Sequence, residues 1–361
     1  MGIGELLRVM EEKGASDLYL KADTPPTYRI EGETCFVGEK INETQLGELA
    51  NSIMNEEQRR TFSQTHEMNL AYAIPGVGRY RCNLYYQRGS VGIVFRRVKL
   101  NIPSVEELNL PTVLNDLALE PRGLILVTGA TGSGKSTTLA AMIDYRNTLK
   151  SGHIISIEDP IEFVHYDKKS IISQREVGID TESFAEALKN TLRQAPDVIL
   201  IGEMRDIESV SSAIYFAETG HLVMSTLHST NANQTIERIL QFYPSSVHEQ
   251  ILLQLSFNLR AIISQRLLPR KGGLPRNGKG RIVAVEVMIA TPRIKNLILK
   301  GEIGKIKDAI EAGTQEGMQT FDQSLHTLFN QELVSLEDAL VYADSPNDLK
   351  MRIKGLKASG G

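Results

Sequence analysis

The chain has 361 residues, 41% apolar and 23% charged, with a formal net charge of −4 and an isoelectric point near 6.0. The length suits two domains, the balance is that of an ordinary globular protein, and the slight acidity argues against a dedicated nucleic-acid binder. Two cysteines far apart, Cys35 and Cys82, exclude a disulfide frame and read as free thiols in a reducing compartment.

The start, Met1-Gly-Ile-Gly-Glu-Leu-Leu-Arg8, does not read as a secretory signal, and no apolar run is long enough to span a bilayer. Residues 3–13 have the helical period, with Ile3, Leu6, Leu7 and Met10 on one side and Gly14 as the stop. Residues 15–21 and 27–31 alternate as strands around Pro25-Pro26. A single helix is expected over 42–64, with Asn42 as its N-cap. Three strands follow at 67–73, 79–87 and 90–98, turning at Pro75-Gly76-Val77-Gly78 and Gly89. Residues 1–98 thus read as a small α+β domain, 99–104 as a linker, and 105–361 as a second domain.

In the second domain, buried-looking strands at 123–128, 153–158, 197–203 and 221–226 alternate with helices at 135–149, 181–194 and 206–219. That pattern predicts a largely parallel sheet covered on both faces, an α/β fold. The basic stretch 269–281 has no aromatic for base stacking and reads as a solvated hairpin tip before a strand at 282–290. Helices close the chain at about 293–300, 302–313, 318–330, 335–343 and 346–357, the last opening with Ser345-Pro346.

The most informative stretch is 123–138. Leu124 to Thr128 forms a strand, Gly129 to Ser136 fits G-x-x-x-x-G-K-[ST] at every fixed position, and a helix begins with Leu139, Met142, Ile143 and Leu149 on one side. Strand, glycine-rich loop and helix is the context in which this motif binds phosphates. Glycines let the backbone aim its N–H groups inward, and the helix adds its positive end. The expected nucleotide-binding residues are Gly129, Ala130, Thr131, Gly132, Ser133, Gly134, Lys135, Ser136 and Thr137. Lys135 is to reach the β- and γ-phosphates and Ser136 to hold Mg²⁺.

Ligands of such sheets sit at the carboxyl ends of the strands. Three further strand ends carry polar residues. Glu158-Asp159-Pro160-Ile161-Glu162 offers carboxylates that polarise water or hold Mg²⁺ indirectly. Gly202-Glu203-Met204-Arg205 resembles a Walker B strand with Gly202 at the usual aspartate position and Glu203 as the acid. His221 and His228 flank the strand at 221–226, which suggests phosphate contact or a relay between subunits. No spacing of histidines and cysteines suggests zinc.

Taken together, residues 14–20, the Walker A stretch, Ile157–Phe163, Leu192–Arg205 and Gly220–His228 resemble the type II/IV secretion ATPases, and within them the twitching-motility pilus retraction ATPases, PilT and PilU. The resemblance covers essentially the whole chain. It implies a PAS-like N-terminal domain, a RecA-like P-loop ATPase domain and a hexameric ring with ATP and Mg²⁺ as cofactors. It implies Glu162 as the catalytic glutamate, Glu203 as the Walker B glutamate, His221 and His228 as a histidine pair, and Arg81 and Arg96 as arginines that approach the nucleotide phosphates.

It also implies cytoplasmic work at the inner membrane, with an inner-membrane platform protein and a PilT-like retraction ATPase as partners. No nucleic acid is expected, and membrane contact is expected only through partners. The chain lacks the four-cysteine module usual in extension ATPases. Residues 291–298 resemble the Ala-Ile-Arg-Asn-Leu-Ile retraction motif, with Arg293 and Lys295 in place of its Ala and Arg. Residues 317–323 and 343–350 look more like PilU, an accessory retraction motor, than PilT. A RecA-like nucleic-acid translocase and an ATP-binding scaffold without motor activity are the alternatives.

Overall fold

A computed structural model describes residues 2–98, 101–272 and 280–355. The chain divides into two compact units. The first holds residues up to Asn101 together with Glu162–Val164. The second holds Ile102–Ile161 and the described residues from His165 onward.

In the first unit, α1 (Ile3–Glu12), α2 (Glu43–Ile53) and α3 (Glu56–Thr65) accompany β1 (Asp17–Lys21), β2 (Thr27–Ile30), β3 (Glu33–Phe36), β4 (Glu67–Ile74), β5 (Gly78–Gln87) and β6 (Ser90–Arg97). The strands form one antiparallel sheet in the order β3-β2-β1-β6-β5-β4. Side chains alternate across it. Leu18, Leu20, Tyr80, Cys82, Leu84, Ile93 and Phe95 pack with Leu6, Leu7 and Met10 of α1 in a single core. Burial pushes the Cys82 thiol far above its ordinary range, so it behaves as a small apolar residue.

The single helix expected over 42–64 is two. Asn42 caps α2 by accepting from the Gln45 amide, and Gln45 returns a bond to the Asn42 amide; Asn55 and Gln58 repeat the box at the start of α3. The second box ends one helix and starts another because Asn55 satisfies the new orphan amides better than a continued turn would. The short edge strand β3 is an addition to the sequence reading.

The second unit contains α4 (Val113–Ala118), β7 (Gly123–Gly129), α5 (Lys135–Leu149), β8 (Gly152–Glu158), β9 (Ser170–Glu176), α6 (Phe184–Thr191), β10 (Val198–Ile201), α7 (Ile207–Glu218), β11 (Leu222–Leu227), α8 (Ala232–Gln241), α9 (His248–Asn258), β12 (Leu259–Pro269), β13 (Arg281–Ile289), and then α10 (Pro292–Leu299), α11 (Ile306–Ala312), α12 (Phe321–Asn330), α13 (Leu336–Val341) and α14 (Pro346–Ile353). Its sheet runs β13-β12-β7-β11-β10-β8-β9. All pairs are parallel except the β12–β13 hairpin.

β7 is buried along its whole length. Leu124 and Leu126 enter the core on one face, Ile125 and Val127 the core on the other. Continuous apolar strands are what two covered faces require. Leu139, Met142 and Ile143 of α5 are buried as expected, but Leu149 in the last turn is 44% exposed. β9, α4, α8, α9 and β12 are further additions to the sequence reading. Pro269 pairs with Arg281 across the β12–β13 hairpin. Residues 273–279 of the basic stretch, 99–100 of the linker and the tail beyond 355 lie outside the described residues.

One buried polar line crosses this apolar sheet. Thr128 of β7 donates to Ser264 of β12 at 3.1 Å. Ser264 faces Glu286 of β13 at 3.5 Å, and the Ala232 amide at the start of α8 donates to the same Glu286 oxygen at 2.8 Å. Burial raises the Glu286 pKa to about 7, against the pull of the Ala232 amide. Its folded pKa exceeds the unfolded value of about 4.3, so the stability it contributes is present below that value and is lost as pH rises through about 7. A Glu286→Gln variant should therefore lose less stability than the wild type between pH 5 and pH 8, a difference of up to about 3 kcal/mol. Parallel pH profiles in the two melting series would contradict this.

Candidate nucleotide site

The phosphate loop begins where β7 ends. Gly129 has φ +144°, and a Cβ there would lie 2.5 Å from Ser133 Oγ and 2.6 Å from the Gln265 carbonyl. Only glycine fits this approach. Gly132 (φ +79°) and Gly134 (φ +95°) have open space around them but adopt left-handed backbone, which turns the loop back onto α5. Gly134 is the N-cap of α5 and has no side chain to satisfy the first-turn amides. Those amides and the positive helix end remain for an anion.

Lys135 is 9% exposed, and its ammonium donates to the Gly129 and Ala130 carbonyls at 2.8 and 3.1 Å. Burial lowers its pKa, and the Glu203 carboxylate pulls the other way. A desolvated cation held by loop carbonyls is suited to trade them for phosphate oxygens. The Ser133 hydroxyl is buried and has no hydrogen-bond partner among the described residues. Ala130, Thr131, Gly132 and Ser136 are exposed, and Thr137 is half-buried. The loop offers backbone donors, one lysine and hydroxyls, with no carboxylate inside it, which fits a polyphosphate. The exposed Ser136 hydroxyl at the first turn of α5 fits a hard cation such as Mg²⁺.

The neighbouring parallel strands end beside it. Leu227 of β11 is in register with Thr128 of β7, and Ile201 of β10 with Ser225 of β11. Gly202 continues from β10. Its amide donates to the Ile157 carbonyl at 2.8 Å, and its carbonyl accepts from Thr226 Oγ1 at 2.7 Å. A Cβ at Gly202 would lie 3.2 Å from the Ile157 carbonyl and 3.3 Å from Glu158 Cα. A side chain at this position, where an aspartate is usual, would need these backbone neighbours to give by a few tenths of an ångström.

Glu203 next to it accepts from Arg205 Nε at 2.9 Å, and His228 Nε2 lies 3.0 Å from its other oxygen. Arg205 also binds Asp159 at 3.0 Å. Glu158, the first acid of its strand end, accepts from Ser156 Oγ at 2.7 Å and Gln174 Nε2 at 3.2 Å, which ties it into the sheet edge. In the second unit, then, Lys135, Ser136, Glu203 and His228 lie at one end of the sheet.

His221 does not join them. Its carbonyl accepts from the Gly123 amide at the start of β7, and its ring bonds the Phe216 carbonyl and Thr219 Oγ1, both at 3.1 Å. It therefore sits at the amino end of β11, on the order of 20 Å from His228 along a strand that rises ~3.3 Å per residue. Flanking one strand places two histidines at opposite ends of a parallel sheet. Phosphate contact by His221 within its own chain is excluded on that ground.

Glu162 belongs to the first unit, together with Arg81 and Arg96. Arg81 and Arg96 face each other directly on β5 and β6, opposite the core side marked by Tyr80, Cys82 and Phe95. Arg81 Nη2 lies 3.2 Å from Glu162 Oε1, and Arg96 Nε donates to Asp17 Oδ1 at 2.8 Å.

Two residues of the surroundings escaped the sequence reading. Gln265 on β12 is 2% exposed, pairs in register with Gly129 and donates to Thr138 Oγ1 at 2.7 Å. Asp17 is 4% exposed although it carries a charge. Asp17 lay inside a recognised stretch, 14–20, and an acid on an alternating strand was its only signal. Gln265 had none, because the strand that bears it was not foreseen.

Comparison with known proteins bears on this site. The family model described as "Type II/IV secretion system protein" matches residues 96–339. The type IV pilus ATPase PilU of Pseudomonas aeruginosa is 51% identical over 360 residues, 98% of this chain and 92% of the relative. The type IV pilus retraction ATPase PilT of the same organism is 44% identical over 349 residues, 96% of this chain and the relative's full length. A crystal structure of the pilus retraction motor PilT with bound ADP superimposes with a TM-score of 0.89 at 45% identity, covering 97% of this chain and 99% of that one.

The geometry makes a direct prediction about the loop. Gly129→Ala puts a methyl against Ser133 and the Gln265 carbonyl, a strain of about 1–3 kcal/mol. Nucleotide affinity should fall at least tenfold while the rest of the sheet persists. Titration with a fluorescent ADP analogue, alongside a melt on the same sample, checks both. Wild-type affinity in this variant would contradict the steric account.

Proposed function

The chain belongs to the type II/IV secretion ATPase family, in its PilT/PilU pilus-retraction branch, and from that premise we propose that it is a hexameric motor whose ATP hydrolysis drives type IV pilus retraction, as an accessory to a PilT-like motor. The observation that carries the reading is the phosphate loop: left-handed glycines, open helix amides and a desolvated Lys135, in a chain that aligns over 98% of its length with a type IV pilus ATPase.

In this reading Lys135 and the loop amides bind the β- and γ-phosphates of ATP. Ser136 would hold Mg²⁺, which neutralises charge on those phosphates when bound. Glu162 is the general base that takes the proton of the attacking water. Glu203 is the Walker B acid, and His228, at 3.0 Å from it, holds that acid's orientation. Arg81 and Arg96 meet charge that grows on the equatorial γ-phosphate oxygens. His221 relays to a neighbouring copy in the ring.

No helix among the described residues is long and apolar enough to cross a membrane. We place the motor at the cytoplasmic face of the inner membrane, where an inner-membrane platform protein of the pilus receives its movement. Hydrolysis would change how the two units pack, and the ring would pass that change to the platform so that pilins leave the fibre.

Substitutions test the roles separately. Glu162→Gln should keep ATP binding and lose hydrolysis by at least a hundredfold, since an amide cannot accept the water's proton. Loss of turnover in Glu158→Gln with turnover retained in Glu162→Gln would move the base to the other carboxylate. Arg96→Ala, and to a lesser degree Arg81→Ala, should lower kcat far more than ATP affinity. Unchanged kcat in both would remove the two arginines from the chemistry. In cells, deletion of the gene should change pilus retraction and leave assembly intact; loss of surface pili with normal retraction would contradict the placement.

A further inference from the structure

Asp17 has no place in the roles assigned so far, yet it is a nearly buried charge at the centre of the first unit's polar face. Strand register lines up four residues across that face. Arg29 of β2 is opposite Asp17 of β1, Asp17 is opposite Arg96 of β6, and Arg96 is opposite Arg81 of β5. Three cations in one cross-strand row would repel each other. One acid set between two of them removes much of that cost.

The geometry of the acid is directional. Asp17 Oδ1 accepts from Arg96 Nε at 2.8 Å. Asp17 Oδ2 accepts from Ser16 Oγ at 2.8 Å and lies 3.5 Å from Arg29 Nε. Arg29 is held in turn by the Tyr19 hydroxyl at 2.9 Å and the Gly32 carbonyl at 3.3 Å. The carboxylate is therefore fixed on both oxygens and is 4% exposed, while the Arg96 side chain that it grips is 64% exposed. A guanidinium held at Nε keeps its two Nη groups for another acceptor, and the planar fork those groups make matches the oxygens of a phosphoryl group.

We propose that Asp17 is the positioning residue of Arg96: it fixes the Nε edge of the guanidinium so that the Nη fork is already oriented for the γ-phosphoryl oxygens. The inference rests on Arg96 as a phosphate-contacting arginine. Asp17 itself touches no nucleotide. Its contribution is to remove the search over rotamers that a long exposed side chain would otherwise make before each turnover.

The test is a double-mutant cycle in the full-length protein, with kcat and nucleotide affinity measured on preparations checked by sizing and melting. Asp17→Asn should lower kcat about tenfold, with ATP affinity changed less than twofold. In the Arg96→Ala background the same substitution should have no further effect on kcat. Asp17→Glu keeps the charge beside Arg29 but displaces the carboxylate by a methylene, and should also lower kcat. Arg29→Ala removes the other cationic partner of Asp17 and should lower the melting temperature while kcat stays within twofold.

A wild-type kcat in either folded Asp17 variant overturns the assignment. So does an equal loss from Asp17→Asn with and without Arg96, which would make Asp17 a structural residue acting independently. If Arg96→Ala alone has wild-type kcat, the phosphate reading of Arg96 fails before Asp17 is reached, so the two failures are distinguishable.

Discussion

The site depends on one steric fact: β7, an inner strand of the sheet, ends at a residue with no Cβ. At Gly129 the backbone passes close enough to Ser133 and to the Gln265 carbonyl that a methyl group would overlap both. That approach closes the phosphate loop, and the closed loop sets the start of α5. Lys135, first residue of that helix, is then buried against loop carbonyls rather than extended into water. Its lowered pKa is a consequence of the burial, and the nearby Glu203 charge keeps the cost tolerable.

The parallel sheet distributes the other groups. Because β10 and β11 run with β7, the residues that follow them emerge on the same edge as the loop, which delivers Glu203 and His228. The same rule sends His221, which precedes β11, to the far edge. At Gly202 the strand end is also close-packed, against backbone atoms of Ile157 and Glu158, though less tightly than the loop is at Gly129. Inside the second unit, Thr128, Ser264, Glu286 and the Ala232 amide form one line that connects the end of the loop strand to the start of α8, four residues beyond His228. The first unit carries Arg29, Asp17, Arg96 and Arg81 on one face of an antiparallel sheet, with its core on the other.

Much of this was legible in the sequence because the strongest signals are local. The G-x-x-x-x-G-K-[ST] run, the apolar strands and the alternation of Tyr80, Cys82 and Leu84 with Arg79, Arg81 and Asn83 each report on their own neighbourhood. What escaped was non-local or crowded by local patterning. The polar line through Glu286 joins four segments, and no stretch of chain contains more than a piece of it. Gln265 matters only because β12 lies beside β7. The pairing of Asp17 with Arg96 needs the register of strands 79 residues apart. The break between α2 and α3 was present as a second Asn-x-x-Gln box at Asn55 but was hidden by a continuous polar helical pattern. The opposite fates of His221 and His228 needed only strand direction, which a parallel-sheet reading already contained.

The most direct measurement is steady-state ATP turnover by the purified full-length chain with Mg²⁺ and no partner, compared with Lys135→Ala at matched concentration and assembly state. The account predicts turnover by the wild type and its loss, together with most nucleotide affinity, in the variant, because the phosphates lose a desolvated cation. Equal turnover in the two proteins, or nucleotide binding by the wild type without any hydrolysis, would contradict the claim that this loop drives a motor.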